Sequence, residues 1–168
     1  MTAPGADDSL APGIATVAGA GGVARAGAQF ARVQRAMVEG HRLSAVAGLL
    51  ATDVVEVEPG RVRLRYAVKP EFMHLGKAVQ GGLVAAYADM AMATAAHTLC
   101  DDGEFLSTSQ LSISFLAPVT AGPVYCEGRV VRRGRTIIFM EAVVSDAHGA
   151  EMARATSVGS PRKAKPAE

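Results

Sequence analysis

The feature that most constrains the fold is an apolar stretch in the middle of the chain, HLGKAVQGGLVAAYADMAMATAAHT, from His74 to Thr98. After Lys77 it consists almost entirely of apolar or small residues, interrupted by a single acid, Asp89. A run that is apolar on most sides predicts a helix enclosed by other elements. A carboxylate is costly to bury without a partner or a role. Asp89 is therefore the first candidate for a functional residue.

The composition favours one globular domain. The chain has 168 residues, a formal net charge of +1 and well-mixed signs, so neither nucleic acid nor a membrane surface is expected as a partner. Asp7 and Asp8 stand where a secretory signal would carry basic residues, which predicts a cytoplasmic protein. Cys100 and Cys126 lie far apart in apolar surroundings, which predicts buried thiols and no metal site.

The two ends of the chain differ in composition from its middle. Residues 1–26 are mostly Ala, Gly and Pro and have few large side chains to bury, so we predict a flexible leader there. We predict a single domain over residues 27–159 and a flexible tail over residues 160–168. The run GAGGVA at residues 19–24 has the spelling of a dinucleotide-binding turn. It lacks a strong strand before it and a βαβ pattern after it, so we interpret it as leader.

The segments around the central stretch predict one further helix and six strands. Apolar residues at helical spacing predict a helix over residues 29–41. Alternation with a period of two over 49–58 and 61–68, around Glu58-Pro59-Gly60, predicts a β-hairpin. Short turns predict that successive strands are antiparallel neighbours, and the whole is an α+β domain whose sheet wraps the central helix. The four remaining predicted strands are residues 105–116, 124–132, 136–145 and 150–158.

Two adjacent glycines, Gly81 and Gly82, open the predicted central helix. Free N–H groups there can hold a phosphate or the oxyanion of a reacting carbonyl. The alternative is that the glycines only let the helix pass close to the sheet. Asp89 has a structural interpretation as well, that of a carboxylate satisfied by neighbouring backbone or hydroxyl groups.

The spacing of Gly81 and Asp89 restricts how they can act together. Asp89 lies eight residues after Gly81, which separates the two by roughly 12 Å along a helix. A reacting carbonyl demands contacts of about 3 Å, so one chain cannot apply both to the same group. Two antiparallel copies of the helix can do so. If both residues are catalytic, we expect a homodimer with composite sites.

The segment QGGLVAAYAD, from Gln80 to Asp89, followed by Thr108 and by FLAP at residues 115–118, resembles a known family. It is similar to the hotdog-fold acyl-CoA thioesterases of the phenylacetate-pathway and 4-hydroxybenzoyl-CoA type, over about residues 48–158. The resemblance implies the hotdog fold, an antiparallel sheet wrapped around a long central helix. It also implies hydrolysis of an acyl-CoA thioester, with coenzyme A as part of the substrate and no cofactor.

The resemblance further implies roles for individual residues. Gly81 would offer its N–H to the thioester carbonyl, and Asp89 of the opposite subunit would act as nucleophile or general base. Thr108 stands where the family often places a hydroxyl that orients the water or the acid. Gln80 occupies a position that is frequently His, and His74 one that is usually Asn or Gln. We include both among the candidate catalytic residues.

Binding of coenzyme A would require cations for its phosphates. Lys77, Arg133 and Arg135 are the candidates, with Gly82 as a further substrate-binding residue, and solvated loops are the alternative interpretation.

The methionines of the central region have two interpretations. They either line an apolar tunnel for the acyl group or fill the core, and the residues concerned are Met73, Met90 and Met92. We expect the remaining histidines, His41, His97 and His148, to be structural or exposed.

Two alternatives to hydrolysis remain open. One is a protein that binds or senses acyl-CoA without turnover. The other is an acyl-thioester hydratase or dehydratase, which generally needs an Asp and His pair that the active-site segment does not show. The sequence also leaves open which acyl group is preferred, and whether the homodimer pairs again into a dimer of dimers.

Overall fold

The computed structural model describes residues 25–39 and 43–163. Most of the predicted leader, with the run at 19–24, lies outside the described residues, as do His41 and the last five residues of the predicted tail. The described elements, in chain order, are α1 (Phe30–Glu39), α2 (Ala45–Leu49), β1 (Thr52–Glu58), β2 (Arg61–Tyr66), a 3-10 turn (Pro70–Phe72), α3 (Gly81–His97), β3 (Glu104–Phe115), β4 (Val124–Arg133), β5 (Ile138–Ser145) and β6 (Glu151–Lys163).

The six strands form one antiparallel sheet in the order β1-β2-β4-β5-β6-β3. The long helix α3 packs across the inner face of this sheet and contacts β2, β4, β5, β6 and β3. The outer face carries cross-strand ion pairs such as Arg61 with Glu127 at 2.8 Å and Arg65 with Asp53 at 2.6 Å. One face of the sheet is therefore buried against α3, and the other is exposed to solvent. The predicted α+β architecture is confirmed.

The core lies between α3 and the inner face of the sheet. Small side chains on α3 let the helix lie close to the strands. On β4, a Cβ at Gly128 would stand 2.4 Å from the carbonyl carbon of Ala91, so this position accepts only glycine without a shift of the helix. This contact fixes the distance between α3 and the sheet. The fully buried residues of α3 are Tyr87, Ala88, Ala91, Met92, Ala95 and Ala96.

The C-terminal end of α3 is closed by the segment that precedes α1. The N–H of Gly27 donates to the carbonyl of Thr98 at 2.8 Å, and the N–H of Gln29 donates to the carbonyl of Cys100 at 3.2 Å. The buried hydroxyl of Thr98 accepts the N–H of Gly60 at 2.7 Å and donates to Ala95 at 2.6 Å. These bonds supply partners to carbonyl groups that a helix end leaves without any.

Both cysteines are buried, as predicted. Burial raises the pKa of the Cys100 thiol, and burial likewise raises the pKa of the Cys126 thiol. Both side chains are therefore neutral hydrophobes. Separately, no helix within 25–39 and 43–163 is long and apolar enough to cross a membrane.

The order of the strands differs from the sequence prediction. We expected β3 and β4 to be antiparallel neighbours, but β3 pairs with β6 at the edge of the sheet, and β4 pairs with β2 and β5. The connection after β3 is long enough to cross the end of α3, and Val119 within it accepts the N–H of Val79 at 2.8 Å. This segment is a crossover, not a hairpin turn.

Two element boundaries also differ. Residues 45–49 form the short helix α2, whose first turn is capped by the Ser44 hydroxyl accepting the N–H of Ala47 at 3.1 Å. The predicted strand began at Leu49. At the other end of the domain, β6 continues to Lys163, so the tail that was predicted from residue 160 begins inside a strand.

Candidate active site

The N-terminal end of α3 has unused hydrogen-bond donors. The carbonyl of Gln80 accepts the N–H groups of Leu83 at 2.8 Å and Val84 at 3.2 Å, and the N–H of Gln80 donates to Phe72 at 2.9 Å. Among the described residues, no acceptor takes the N–H of Gly81 or of Gly82. Gln80 is exposed and its side chain does not cap the helix. Two adjacent N–H groups are thus free for a ligand, at the end where the helix dipole favours negative charge.

The two glycines differ in their surroundings. A Cβ at Gly81 would lie 3.2 Å from Cζ of Phe115, so the close-packing interpretation fits this residue as well as the functional one. A Cβ at Gly82 would meet nothing within 4 Å. Packing therefore does not require glycine at position 82, and the space beside that residue is open.

A cavity of about 370 Å³ opens beside Gly81. Within residues 25–39 and 43–163, His74 is the one lining residue with a polar side chain. Its Nδ1 accepts the N–H of Gly76 at 2.9 Å, so in the neutral ring the proton lies on Nε2. The remaining lining residues are apolar and include Val79, Val84, Phe115, Leu116 and Val119.

His74 belongs to a tight turn that ends at Lys77. The N–H of Lys77 donates to the carbonyl of His74 at 2.9 Å, and the N–H of His74 donates to Ala78 at 2.9 Å. Lys77 has a φ of 57°, in the left-handed region that a residue with a side chain rarely adopts. The turn carries the Lys77 side chain on an exposed loop beside the cavity.

Asp89 and Thr108 form a second group. The Thr108 hydroxyl donates to Oδ1 of Asp89 at 3.0 Å, which joins the middle of α3 to β3. Asp89 is half-buried and Thr108 is exposed. Neither residue lines the cavity beside Gly81. One chain therefore holds its predicted site residues in two places, with the carboxylate away from the free N–H groups.

Strand β3 runs antiparallel to α3 along most of the helix. The N–H of Leu106 donates to Nε2 of His97 at 3.1 Å near the C-terminal end of α3. Thr108 meets Asp89 in the middle, and Phe115 packs on Gly81 at the N-terminal end. Positions along β3 thus correspond to positions along the helix in reverse order.

The predicted phosphate-binding cations lie at two different ends of α3. The Arg133 guanidinium is 3.7 Å from Sγ of Cys100 and 3.4 Å from Oε2 of Glu104, near the C-terminal end. The Asp101 N–H, assisted by Arg133, holds the pKa of the Glu104 carboxyl below its usual value. Arg135 is exposed on the following turn. Since α3 has 17 residues, these arginines stand roughly 25 Å from Gly81 of their own chain.

Other candidates have structural positions. Burial, with Arg32 as a second cause, lowers the pKa of His97, and His148 is exposed. Met92 is fully buried, and none of the three predicted tunnel methionines lines the cavity. Within the described part of the chain, no three His, Cys, Asp or Glu side chains are placed to hold a metal ion.

A second depression, of about 210 Å³, lies on the outer face of the sheet. Its polar lining includes Ser112, Ser114 and Arg154. Arg154 is already paired with Glu151 at 2.6 Å. The depression lies across the sheet from α3, so it takes no part in the chemistry of the helix end.

Comparison with known proteins places this geometry in a family. Residues 73–153 match the description of the Thioesterase superfamily. A protein of Saccharolobus solfataricus that is named as an esterase is 35% identical over 100 residues, which cover 60% of this chain and 71% of the relative.

The comparison with solved structures agrees with this family match. A phenylacetic acid degradation-related protein from Ralstonia eutropha JMP134 is 29% identical, with a TM-score of 0.70 over 76% of this chain and 98% of that one. The E. coli PaaI protein from the phenylacetic acid degradation operon has a TM-score of 0.71 at 20% identity, over 82% of this chain and 96% of that one, a likeness of fold.

The chain belongs to the thioesterase superfamily. Its sheet wrapped around α3 is the hotdog fold, as the resemblance implied. Membership supports hydrolysis of thioesters in general. The roles of the individual residues stay predictions.

The sequence prediction overlooked the residues that shape the cavity. Phe115 was noticed only as part of a motif, yet its ring forms the wall next to Gly81. No motif in the sequence marks Val79 or Val119 as residues of a cavity. Contacts between the segments before α3 and after β3 could not be read from either segment alone.

Proposed function

We propose that this protein hydrolyses acyl-CoA thioesters as a homodimer with two composite active sites. The observation that carries the proposal is the separation of the site within one chain. The free N–H groups of Gly81 and Gly82 border a cavity, whereas the carboxylate of Asp89 stands elsewhere on α3 with Thr108. Each half lacks what the other supplies.

The edge strand β3 supports pairing with a second copy. It has 12 residues and bonds to β6 on one side, and no strand among the described residues pairs with its other side. A long edge strand presents a row of free N–H and C=O groups, which is a template for another strand. In a two-fold dimer the two β3 strands would pair antiparallel, and the two α3 helices would lie antiparallel beside them.

The contacts between β3 and α3 define the register of that pairing. For Asp89 to meet Gly81 of the partner subunit, Thr108 must lie near Phe115 of the partner subunit. The two-fold axis then crosses β3 midway between these positions, at Leu111 and Ser112. This register brings both halves of the site together twice in each dimer.

The chemistry follows from the combined site. The thioester carbonyl accepts the N–H of Gly81, and the negative charge of the tetrahedral intermediate develops against these donors and the helix dipole. Asp89 of the partner subunit either removes a proton from the attacking water, or attacks the carbonyl itself to form an acyl anhydride that water then cleaves to the free acid and the carboxylate. The Thr108 hydroxyl orients the carboxylate. The C–S bond breaks, and coenzyme A leaves as a thiol after taking up a proton.

The proposed dimer also brings the predicted phosphate-binding cations of the two subunits near one another. Antiparallel helices place the C-terminal end of one α3 beside the N-terminal end of the other, so Arg133 and Arg135 of the partner subunit approach the loop of Lys77. Cations from both subunits would then face the phosphates of one coenzyme A. Screening by salt should weaken this attraction, because Lys77 and Arg135 are exposed.

The first experiment is a screen of the purified protein against acyl-CoAs with short, long and aromatic acyl groups. Release of free coenzyme A is the readout. Asp89→Asn should lower kcat by about 10²–10⁴-fold and leave the oligomer mass unchanged. Tight binding of acyl-CoA by wild type with no hydrolysis of any member would instead identify a binding protein.

Complementation tests the composite site directly. Asp89→Asn and Gly81→Pro are each expected to be inactive, because one lacks the carboxylate and the other lacks the N–H. After subunit exchange, each mixed dimer contains one intact site and one doubly defective site. Random mixing should restore about a quarter of wild-type activity. If the mixture remains as inactive as its components, the site lies within one chain.

A further inference from the structure

We propose that the cavity beside Gly81 is the acyl pocket, that it selects compact and uncharged acyl groups, and that Phe115 determines which of them fit. This inference rests on the proposed function and adds a substrate class to it. Four properties of the cavity lead to it: its unused polar groups, its charge, its aromatic wall and its size.

The side chains that line the cavity are apolar, with His74 as the exception among the described residues. The backbone N–H groups of His74, Val79, Leu116 and Ala117 are donated to other carbonyls, at 2.8 to 3.1 Å. Donors that remain free at the cavity include the N–H of Gly81 and the ring N–H of His74. A group placed there has a hydrogen-bonded end at Gly81 and otherwise meets mainly apolar side chains.

This lining distinguishes the two arms of the substrate. From a carbonyl held at Gly81, one arm is the acyl group and the other is the pantetheine arm with its two amide groups. An amide buried without partners is unfavourable by several kcal/mol in an apolar setting. The apolar cavity therefore suits the acyl group, and the amide-bearing arm leads away from it toward the exposed turn of Lys77.

The cavity has no charged lining residue within the described part of the chain. Lys77 is exposed on the neighbouring turn and does not line it. A second carboxylate on the acyl group would lose its hydration and find no cation in the cavity. Acyl groups derived from dicarboxylic acids should therefore be rejected.

Phe115 forms the wall that touches the reaction centre. Its Cζ would lie 3.2 Å from a Cβ at position 81, so the ring covers the start of α3 as closely as glycine permits. The side chain is about half exposed, which leaves one face of the ring available to a ligand. A flat or short acyl group can pack against that face, whereas a bulkier group meets the ring first.

The size of the cavity points in the same direction. Its volume of about 370 Å³ lies near the lower end of the roughly 300–1,000 Å³ of ligand pockets. Part of this space opens to solvent and would face the partner subunit. A long chain would have to leave the cavity, so the preferred acyl group is compact.

The test compares acyl groups that are matched in size. Butyryl-CoA and succinyl-CoA have acyl groups of four carbons, one neutral and one with a carboxylate. Wild type should hydrolyse butyryl-CoA with a kcat/KM at least about 100-fold higher than succinyl-CoA. Phenylacetyl-CoA should be at least as good as butyryl-CoA, and palmitoyl-CoA should be poorer than both. Equal rates for butyryl-CoA and succinyl-CoA would overturn the inference about the acyl pocket without contradicting the proposed hydrolase activity.

The role of Phe115 is tested by Phe115→Ala. The variant should lose roughly tenfold in kcat/KM for phenylacetyl-CoA, and its ratio of decanoyl-CoA to butyryl-CoA hydrolysis should rise. Phe139→Ala is the matched control, since Phe139 is exposed to a similar degree but belongs to the outer row of β5. The same change of preference in both variants would show that Phe115 has no specific role.

Binding separates this inference from the proposed function. Asp89→Asn retains the cavity, so calorimetry can measure its affinity for butyryl-CoA, succinyl-CoA and coenzyme A without turnover. Tighter binding of butyryl-CoA than of the other two supports the pocket even if wild type hydrolyses nothing. Equal affinity for all three, with or without hydrolysis by wild type, overturns it.

Discussion

The two ends of α3 are built on opposite plans. At the C-terminal end, carbonyl groups are capped by Gly27 and Gln29 and a buried Thr98 hydroxyl, with Arg133 packed nearby. At the N-terminal end, the N–H groups of Gly81 and Gly82 have no partner among the described residues, and a cavity lies beside them. One end has its hydrogen bonds satisfied within the chain, and the other leaves two N–H groups open, which the proposed function assigns to a ligand.

This difference shows where function can be sought without any knowledge of a substrate. An unpartnered backbone donor is unfavourable unless water or a ligand satisfies it. An unpartnered carbonyl is unfavourable in the same way, and the fold satisfies the carbonyl groups at the C-terminal end of α3 with N–H groups from a segment outside the sheet. At the N-terminal end, two N–H groups are left open beside the cavity, and this is the basis on which we propose a binding site there.

Among variants that compare the two ends of α3, the largest expected effect comes from removing one free donor. Gly81→Pro removes the N–H, and proline is tolerated at the first position of a helix. We expect kcat to fall by about 10²–10³-fold, the usual loss for one oxyanion donor. Gly81→Ala is the matched control, because its Cβ meets Phe115 in the same way while the N–H remains. Equal losses in both variants would mean that packing, and not the N–H, is what matters.

The next effect is on stability, at the closed end. A Cβ at Gly27 would lie 2.2 Å from the carbonyl oxygen of Cys100. Gly27→Ala should lower the free energy of unfolding by about 1–3 kcal/mol, measured by urea denaturation, with kcat/KM unchanged. Gly82→Ala, at the open end, should not destabilise the protein, since nothing lies near that Cβ. Loss of activity without loss of stability in Gly27→Ala would contradict the division between the ends.

A smaller effect is expected between the two ends. Thr108→Val removes the hydroxyl that donates to Asp89 and preserves the shape of the side chain. We expect kcat to fall about tenfold, the scale of one hydrogen bond to a charged group. Thr108→Ser should retain most of the activity. If valine and serine behave alike in steady-state kinetics, the hydroxyl does not orient the acid.

The smallest effect concerns pH and the closed end. Burial, and secondarily Arg32, lowers the pKa of His97 below its ordinary value of 6.5, and the neutral ring accepts the N–H of Leu106. The unfolded chain then binds a proton more readily, so this contribution to stability is complete above about pH 6.5 and is lost as the pH falls below it.

The matched variant for this prediction is His97→Gln, which offers an amide oxygen but does not titrate. Between about pH 7.5 and about pH 5.5, wild type should lose more unfolding free energy than the variant. Denaturation curves at the two pH values measure the difference. Parallel losses would show that His97 does not contribute to the pH dependence.

Much of the fold was predictable because its signals are local. The apolar run that became α3, the hairpin of β1 and β2, and the alternation in β3 to β6 all appear in short windows of sequence. The N-cap that starts α2 was also a local signal, Ser44 before Ala45, and was overlooked. The tail was predicted from residue 160, but β6 continues past Pro161, where it has passed the end of β5 and pairs only with β3.

The non-local features were beyond the sequence. The position of β3 at the edge depends on a crossover that passes α3 before it joins β4. A role for Thr108 beside the water or the acid was implied only by the resemblance. No local pattern could show its contact with Asp89, because 19 positions separate the two in the chain. The wall that Phe115 builds beside Gly81 joins segments 34 residues apart, and only the folded chain shows it.

The free edge of β3 has a consequence for heredity. In the proposed dimer, each substitution in this strand occurs twice in the interface, once in each copy. Its effect on the free energy of association is therefore doubled. A cell that makes one normal and one Asp89-deficient chain would still assemble mixed dimers with one working site. Loss of activity would then follow gene dose, whereas chains with a defective pairing edge would fail to associate and would leave the normal chains to pair with one another.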